Sequence, residues 1–319
     1  MTERTLIAFL ADGEFHSGEK LGELLGVSRT AVWKQLQKLE GLGVALESVK
    51  GLGYRIAGGL DLLQKEEVAA AMSGASAICD LTILEETTST NDWVKARQGS
   101  WHGVTCLAER QTGGRGRRGR AWVSPYGRNL YLSMGWGFEG GVAALEGLSL
   151  AVGVAVCRTL GGRAAPEGVT LKWPNDILLN GRKLAGVLVE MQGDPSGACQ
   201  VVVGVGVNYG MGQLQGEEID QPWADGRELV DMSRSQLAGA LIRELAVMLE
   251  LFAEKGFAFF REEWSSYDAT RDKPVRLTAA SRTIDGIARG IDAHGALLVE
   301  TVQGVESVYG GEVSLRVSR

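Results

Sequence analysis

The amino-terminal part of the chain repeats apolar residues at helical spacing. Apolar side chains recur every three or four positions over residues 5–10, 18–25 and 29–40, which predicts three helices. Ser17 and Ser28 stand immediately before the second and third segments, where a hydroxyl can accept hydrogen bonds from free helix amides. Two short alternating segments follow, on either side of Lys-Gly-Leu-Gly at 50–53. Residues 1–60 are therefore predicted to form a winged helix-turn-helix domain.

The rest of the chain mixes both periodicities. Residues 61–270 combine segments with the pattern of strands (81–84, 104–109, 129–136 and 200–208) with predicted helices (62–72, 143–160 and 235–255). This mixture predicts a central α+β domain built on a mixed sheet. Residues 271–319 contain short alternating strands separated by glycine turns, which predicts a small β-barrel domain.

The Asn180-Gly181 pair is a strong signal for a two-residue hairpin turn. If this turn sets the register, residue 179 faces 182, 178 faces 183 and 176 faces 185. Asp176 and Lys183 then project from one sheet face as diagonal neighbours, roughly 7–8 Å apart at Cα. Two interpretations carry equal weight on geometry alone. One is a ligand site with Ala185 beside the charged pair; the other is a surface ion pair of small energetic consequence.

Charge places any nucleic-acid contact in the first domain. The net charge of −6 argues against a protein that coats nucleic acid, so DNA contact must be local. Residues 28–55 carry an excess of Lys and Arg over Asp and Glu, whereas residues 1–27 carry an excess of acids. We therefore expect the third helix and the wing to meet DNA phosphates, although a winged helix that binds protein partners remains an alternative. The residues expected to contact DNA are Ser28, Arg29, Thr30, Lys34, Lys50 and Arg55.

Cysteine spacing and hydropathy indicate a cytoplasmic protein. Cys79, Cys106, Cys157 and Cys199 lie far apart without a Cys-x-x-Cys pair, as expected of buried thiols in a reducing compartment. The amino terminus lacks a basic-then-apolar signal, and no uninterrupted apolar run reaches membrane-spanning length. The three histidines are isolated, which disfavours histidine-based metal or triad chemistry.

The segment 111–122 is the strongest candidate for chemistry. Its sequence, Gln-Thr-Gly-Gly-Arg-Gly-Arg-Arg-Gly-Arg-Ala-Trp, combines glycines that allow close backbone approach with arginines suited to phosphate or carboxylate. A nucleic-acid patch is one alternative for such a loop. Gly114-x-Gly116-x-x-Gly119 also matches the dinucleotide fingerprint, but no helix start follows it, and the chain has no Walker A triplet. The loop is therefore expected to close over a bound anion.

Two further segments offer polar groups or bare backbone. Ser89, Thr90 and Asn91 stand at a predicted helix start, where a simple cap is the plainer interpretation of the spacing. Gly204 and Gly206 strip one face of the strand 200–208 of side chains, as expected where a ligand or another backbone lies against a sheet. The segment 210–225 lacks periodicity and is expected to be a flexible lid.

Taken in order, these motifs resemble the bacterial biotin–protein ligases of the bifunctional kind, which also repress the biotin operon. The resemblance covers essentially the whole chain. It rests on Ser89-Thr-Asn, Gly114-Arg-Gly-Arg-Arg-Gly, Lys172-Trp-Pro-Asn-Asp with Arg182-Lys-Leu-Ala-Gly, and Gly204-Val-Gly-Val-Asn. It implies a central domain of the biotin/lipoate ligase type over residues 61–270 and an SH3-like barrel over 271–319.

The resemblance implies two half-reactions. Biotin and Mg-ATP give biotinyl-5′-AMP and pyrophosphate, and the acyl group then passes to a lysine of the biotin carboxyl carrier protein. Lys183, Arg115, Arg117 and Asp176 are the implied catalytic residues, with Asp176 as the candidate Mg²⁺ ligand. The implied biotin-binding residues are Ser89, Thr90, Asn91, Gln111, Gly114, Arg115, Gly116, Arg117 and Lys183. The implied ATP-binding and adenylate-binding residues are Arg117, Arg118, Arg120, Trp122, Lys172, Asn175 and Asn208.

The resemblance also implies regulation by the reaction intermediate. Biotinyl-AMP would act as corepressor by favouring a homodimer that sets two winged helices on operator DNA. Two alternatives remain at this stage: a ligase without operator binding, and a biotin-sensing transcription factor without catalysis.

Overall fold

The computed structural model of the protein describes residues 3–161, 167–194, 196–211, 219–278, 282–310 and 314–317. Its amino-terminal unit is the predicted winged helix-turn-helix. The elements are α1 (Glu3–Leu10), α2 (Gly18–Leu25), α3 (Arg29–Gly41), β1 (Leu46–Val49) and β2 (Gly53–Ile56). Ser17 Oγ accepts a hydrogen bond from the Lys20 amide, and Ser28 Oγ accepts one from the Ala31 amide, so both predicted helix starts are confirmed.

The amino-terminal unit packs directly on the domain that follows it. Its apolar core includes Leu62 and Tyr126, which belong to the central part of the chain. Arg4 of α1 donates hydrogen bonds to the Glu85 carboxylate and to the carbonyl of Leu63. The winged helix is therefore held against the central domain by apolar and charged contacts.

A seven-stranded mixed sheet organises the centre of the chain. Its order is β3-β4-β5-β9-β8-β7-β6, with β3 parallel to β4 and the other neighbours antiparallel. The strands are β3 (Asp80–Thr87), β4 (Val104–Gln111), β5 (Leu130–Phe138), β6 (Val169–Lys172), β7 (Asp176–Leu179), β8 (Arg182–Gly193) and β9 (Cys199–Val207). The helices of this part are α4 (Lys65–Ala71), α5 (Thr90–Lys95), α6 (Leu148–Gly161), α7 (Arg234–Lys255) and α8 (Arg261–Ser266).

The two faces of this sheet have different partners. Val201, Val203 and Val205 of β9 belong to the large core that also contains α6 and α7. Val202 instead packs with Val94 of α5 on the opposite face. Because side chains alternate along a strand, positions 204 and 206 lie on the same face as Val202, the α5 face. Both are glycine, so the backbone there carries no side chain. The α5 face is therefore where a ligand can approach the sheet.

Helix α6 is apolar nearly all round, unlike a surface helix. With the 3₁₀ turn Gly141–Leu145 it gives a 21-residue stretch, Gly141–Gly161, that passes a length and hydropathy test for a membrane span. The sequence shows no uninterrupted apolar run here, because Glu146 and Gly147 interrupt the stretch. The α-helical part lies in the core of the domain, with Leu150, Val152, Val154 and Val156 all buried, so its apolar character is that of a core helix.

Five antiparallel strands follow, in the order β13-β12-β11-β10-β14. They are β10 (Pro274–Thr278), β11 (Thr283–Ile291), β12 (Leu297–Thr301), β13 (Gly304–Val308) and β14 (Ser314–Val317). The buried face of this sheet, with Val275, Leu277 and Val299, is continuous with the core of the central domain.

Two local predictions are wrong. The helix predicted from residue 62 begins at Lys65, because the Leu63 amide donates to Glu109 Oε1 at 2.7 Å and the Gln64 amide donates to Ser235 Oγ at 2.9 Å. Cys79 is exposed, whereas the other three cysteines are buried as predicted. The later helix start arises from contacts between segments distant in sequence.

Candidate functional site

A cavity of about 650 Å³ opens on the α5 face of the central sheet. It is enclosed by the loop 111–122, the β7–β8 hairpin, β9 and the last strand, β14. The predicted ligase residues that line it are Ser89, Thr90, Asn91, Gln111, Arg115, Gly116, Arg117, Arg118, Arg120, Trp122, Lys172, Asn175, Asp176, Lys183 and Asn208. Gly114 does not line the cavity; its carbonyl accepts the Trp122 amide at 2.9 Å, which closes the base of the loop.

The cavity carries a strong positive charge although the chain is acidic. Seven lysine and arginine side chains and two aspartates line it among the described residues. Burial lowers the pKa of Lys172, an effect that the nearby Asp176 opposes and that Lys183 and Arg120 reinforce. Burial is also the main cause that lowers the pKa of Arg117. Such a concentration of cations is suited to a polyanionic ligand.

The Ser89–Asn91 segment is held from its first turn by Gln111. Ser89 is the residue before α5, but its side chain makes no capping hydrogen bond, so the cap interpretation of its hydroxyl is wrong. Instead, Gln111 Oε1 accepts from the Thr90 amide at 2.9 Å and from Thr90 Oγ1 at 3.1 Å. The Gln111 side chain, which comes from β4, thus accepts a hydrogen bond from a free amide at the start of α5, as a capping side chain would. The hydroxyl of Ser89 therefore remains at the cavity wall.

The β7–β8 hairpin turns at Asn180-Gly181 as predicted, but its register shifts. Residues 179 and 182, and 178 and 183, face each other; beyond them 177 faces 185 and 176 faces 186. The predicted pairing of 176 with 185 is wrong because Leu184 is an extra, buried residue of β8. Lys183 Nζ lies 2.8 Å from Asp176 Oδ1, so the predicted pair forms at the cavity.

The ring of Trp122 covers the glycine backbone at Gly186 and Gly206. Gly186 and Gly206 are register partners, and a Cβ on Gly206 would lie 2.6 Å from Trp122 Cε2. The Lys183 ammonium lies 5.5 Å from the centre of the Trp122 ring. The absence of side chains at Gly186 and Gly206 therefore makes room for the Trp122 ring. The indole N–H of Trp122 is buried and has no hydrogen-bond partner among the described residues.

Arg117 of the loop also contacts the segment between β13 and β14. Arg117 Nη1 donates to Asn175 Oδ1 at 3.3 Å, and Arg117 Nη2 donates to the carbonyl of Gly310. Asn175 in turn donates to the Val187 carbonyl at 2.9 Å, and Asn208 Nδ2 donates to the Lys183 carbonyl at 3.0 Å. Asn175 and Asn208 thus brace the hairpin and the loop.

Metal ligation by protein side chains alone is not indicated. Among the described residues, no group of three or more His, Cys, Asp or Glu could hold a metal ion. Asp176 is a single carboxylate already paired with Lys183. Mg²⁺ in nucleotide sites is usually held by one or two carboxylates together with substrate phosphates and water. The residues present therefore fit a Mg²⁺ ion that arrives with a nucleotide.

Several cavity residues were not predicted from the sequence, among them Trp223 and Arg316. Trp223 lines the cavity beside Lys183, whose amide donates to the Pro222 carbonyl at 2.9 Å. An isolated tryptophan next to proline in a polar segment was the available signal. Arg316 enters the cavity from β14, and no local pattern marks it. Residues 212–218 of the predicted lid lie outside the described residues.

The residues expected to contact DNA lie on α3 and the wing. Ser28, Arg29, Thr30, Lys34 and Lys50 are exposed. Arg55 differs, because its Nε lies 2.7 Å from Glu47 Oε2 on the partner strand and its guanidinium stacks on Phe15. Its charge is thus already engaged within the wing.

Comparison with known proteins agrees with this architecture. Residues 2–55 match the HTH domain family, residues 83–208 the Biotin/lipoate A/B protein ligase family, and residues 271–316 the Biotin protein ligase C terminal domain family. The chain is 44% identical over 313 residues to the Bifunctional ligase/repressor BirA of Escherichia coli (strain K12), covering 98% of this chain and 96% of that protein. It is 31% identical over 319 residues to the protein of the same name from Bacillus subtilis (strain 168), covering 96% of this chain and 95% of that protein.

A solved structure gives the same result for the fold. The biotin protein ligase from Aquifex aeolicus in complex with biotin and ATP is similar with a TM-score of 0.63 and 30% identity, over 75% of this chain and 99% of that chain. The fold, the order of the three matched segments and the full-length identity together show that this chain belongs to the family of bifunctional biotin–protein ligases and repressors.

Proposed function

We propose that this protein activates biotin with ATP and transfers it to a lysine of the biotin carboxyl carrier protein. The observation that carries the proposal is one cavity in which the arginine loop, Lys183 and Lys172 meet around a space large enough for an adenylate. The Aquifex aeolicus relative of similar fold binds biotin and ATP. The amino-terminal domain matches the HTH family, which supports an additional role as repressor.

In the first half-reaction, a biotin carboxylate oxygen attacks the α-phosphorus of ATP. The bond from that phosphorus to its bridging oxygen breaks, and pyrophosphate leaves with the electron pair. Negative charge is spread over the phosphate oxygens in such a displacement, and fixed cations stabilise it. Lys183 is proposed to stand between carboxylate and α-phosphate, with Lys172, Arg118 and Arg120 on the phosphates. Mg²⁺ bound to the phosphates would supply further positive charge, with Asp176 as its carboxylate.

The second half-reaction is an acyl transfer to an amine. The acceptor lysine nitrogen attacks the carbonyl carbon of biotinyl-AMP, the carbon–oxygen bond to AMP breaks, and the amine loses a proton. The polar groups of Ser89, Thr90, Asn91 and Gln111 are proposed to hold the biotin rings. Trp122, whose ring centre lies 5.5 Å from the Lys183 ammonium, is proposed to contact the adenine.

As a repressor, the protein is proposed to use biotinyl-AMP as corepressor. The bound intermediate would favour a homodimer, so that two winged helices reach the operator of biotin biosynthesis genes. The exposed basic residues of α3 support operator binding over a ligase that lacks it. The protein is proposed to work in the cytoplasm, where the acceptor and ATP occur together.

Mass spectrometry of the purified protein, incubated with biotin and Mg-ATP, tests the proposal. We expect a retained ligand with the mass of biotinyl-5′-AMP that disappears when biotin is omitted. A protein that retains no adenylate and supports no biotin-dependent exchange of pyrophosphate into ATP would refute the enzymatic function. If binding of the protein to the upstream region of biotin biosynthesis genes, measured by gel shift, does not depend on biotin and ATP, the repressor function is refuted.

A further inference from the structure

Large apolar side chains are exposed on the elements of the winged helix that carry its basic residues. Trp33 on α3 is 48% exposed, and Leu52, in the turn between β1 and β2, is 55% exposed. Val49, the last residue of β1, is 42% exposed. Trp33 is the largest of these side chains, and an indole buries a large apolar area when a partner covers it. Of the three, Trp33 therefore has the most apolar surface left for a partner.

Trp33 lies on the side of α3 that faces away from the domain core. Val32 and Leu36 of this helix are buried in the amino-terminal core. Thr30, Trp33 and Gln37 are all exposed. Because residues three and four positions apart lie along the same side of a helix, these three residues form one exposed row. The indole therefore belongs to the surface that α3 presents to a partner.

Cations on the same elements indicate what that partner is. Arg29 and Lys34 on α3 and Lys50 in the turn after β1 are exposed, and Lys34 is adjacent to Trp33. Exposed cations attract the phosphates of DNA, and in helix-turn-helix domains the second helix of the motif lies in the major groove. Residues 2–55 match the HTH domain family. Charge complementarity therefore favours duplex DNA as the partner that covers Trp33.

We propose that Trp33 contacts thymine methyl groups in the major groove and thereby contributes to the choice of operator sequence. The inference rests on the proposed repressor function and adds a residue that reads bases to those that bind phosphates. Contacts to phosphates fix the position of the protein on the duplex but carry no sequence information directly. The apolar group that base pairs present in the major groove is the C5 methyl of thymine. A neutral indole on the exposed row of α3 is suited to cover that methyl group.

The test is a gel shift with duplexes that either carry or lack the thymine methyl group. The probe is the upstream region of biotin biosynthesis genes, synthesised once with thymidine and once with deoxyuridine, in the presence of biotin and Mg-ATP. Wild type is compared with Trp33→Ala and with Trp33→Phe, which keeps an aromatic ring. Phe259→Ala is the matched control, because Phe259 is an aromatic residue of the central domain that is 53% exposed. Thermal unfolding establishes that each variant is folded.

The quantity measured is the factor by which Kd rises when uracil replaces thymine. Any change in DNA shape is the same for every protein, so comparing this factor between wild type and Trp33→Ala isolates the methyl contact of Trp33. We expect the factor for wild type to exceed that for Trp33→Ala at least about fourfold, which is the effect of burying one methyl group. Trp33→Phe should fall between them, and Phe259→Ala should equal wild type. Biotin-dependent pyrophosphate exchange should be unchanged in all variants.

Three results would overturn the inference. The first is an equal factor in wild type and Trp33→Ala, and the second is an equal loss of affinity by Trp33→Ala on a duplex of unrelated sequence. The third is a Trp33→Ala protein that no longer forms the wild-type dimer with biotin and Mg-ATP in sedimentation, because the ring would then belong to a protein interface. Failure of the proposed repressor function is distinguishable, because wild type would then bind neither probe more tightly than unrelated DNA.

Discussion

Lys183 Nζ lies 2.8 Å from Asp176 Oδ1 on the neighbouring strand and 5.5 Å from the centre of the Trp122 ring. The first contact ties the lysine to the hairpin, and the second places it beside the arginine loop. The side chains of the pair are only 17% and 23% exposed, so the ammonium is partly withdrawn from water. A cation that is partly desolvated and already oriented interacts more strongly with a developing negative charge than a solvated one.

Substitutions of the two glycines of β9 should distinguish the proposed biotin end of the site, beside Asn91, from the proposed ATP end, beside Trp122. A Cβ on Gly204 would lie 2.3 Å from Asn91 Oδ1, and one on Gly206 would lie 2.6 Å from Trp122 Cε2. We expect Gly204→Ala to raise KM for biotin roughly tenfold or more, and Gly206→Ala to raise KM for ATP by a similar factor. Pyrophosphate exchange with each substrate varied in turn measures both constants. Equal effects on both substrates in both variants would contradict the assignment of the two ends.

Lys172 should make the affinity for ATP fall at alkaline pH. Burial lowers its pKa, whereas a bound phosphate favours the charged form. The affinity for ATP should therefore be greatest below the lowered pKa and should fall as pH rises through it. In Lys172→Arg this decline should move to higher pH, because arginine keeps its proton. Calorimetric titration with ATP between about pH 7 and 10 measures it, with the exposed Lys65→Arg as control; identical limits in all three proteins would refute the role of Lys172.

Lys34 should contribute to DNA binding through charge alone. It is exposed on α3, where a phosphate contact would release about one counterion. We expect Lys34→Ala to weaken binding to operator DNA and to reduce the slope of log affinity against log salt by about 1. Ligase activity should stay unchanged. The prediction fails if the slope is that of wild type, or if the exposed Lys65→Ala in the central domain lowers it equally.

Arg234 and Glu109 should matter for stability. Arg234 Nη1 lies 2.8 Å from Glu109 Oε2, and their side chains are 1% and 0% exposed. Removing one partner would leave the other charge buried and unpaired, so we expect Glu109→Gln to lower the free energy of unfolding by about 3–5 kcal/mol. Urea denaturation measures this loss. A change below about 1 kcal/mol, the size typical of exposed pairs, would show that the pair is not structurally important.

Local signals in the sequence predicted most of the elements, whereas many of the cavity residues were identified only by the resemblance to a known family. Ser17 and Ser28 mark helix starts, and Asn180-Gly181 marks the hairpin, because each acts on backbone within a few positions. The arginines of the loop were found because they alternate with glycine, and Lys183 was found from the register of the Asn180-Gly181 hairpin. All of these features depend on neighbours in sequence.

The missed features depend on contacts between distant segments. The extra residue Leu184 reverses the alternation of side chains along β8. Lys183 and Gly186 therefore both face the cavity, although they are three positions apart and would otherwise lie on opposite faces. Arg316 reaches the cavity from a strand more than a hundred residues after the hairpin. The roles of Gln111 at the start of α5 and of Glu190 beside Asn91 likewise exist only once the sheet has formed.

The central claim is that Lys183 and the arginine loop act together on one activated carboxylate. Biotin-dependent pyrophosphate exchange by Lys183→Ala, measured beside wild type and the exposed Lys65→Ala, tests it most directly. We expect the rate in Lys183→Ala to fall by at least about 10²-fold, the usual loss when one group that stabilises a transition state is removed, while Lys65→Ala keeps the wild-type rate. Exchange at the wild-type rate in folded Lys183→Ala would contradict the claim.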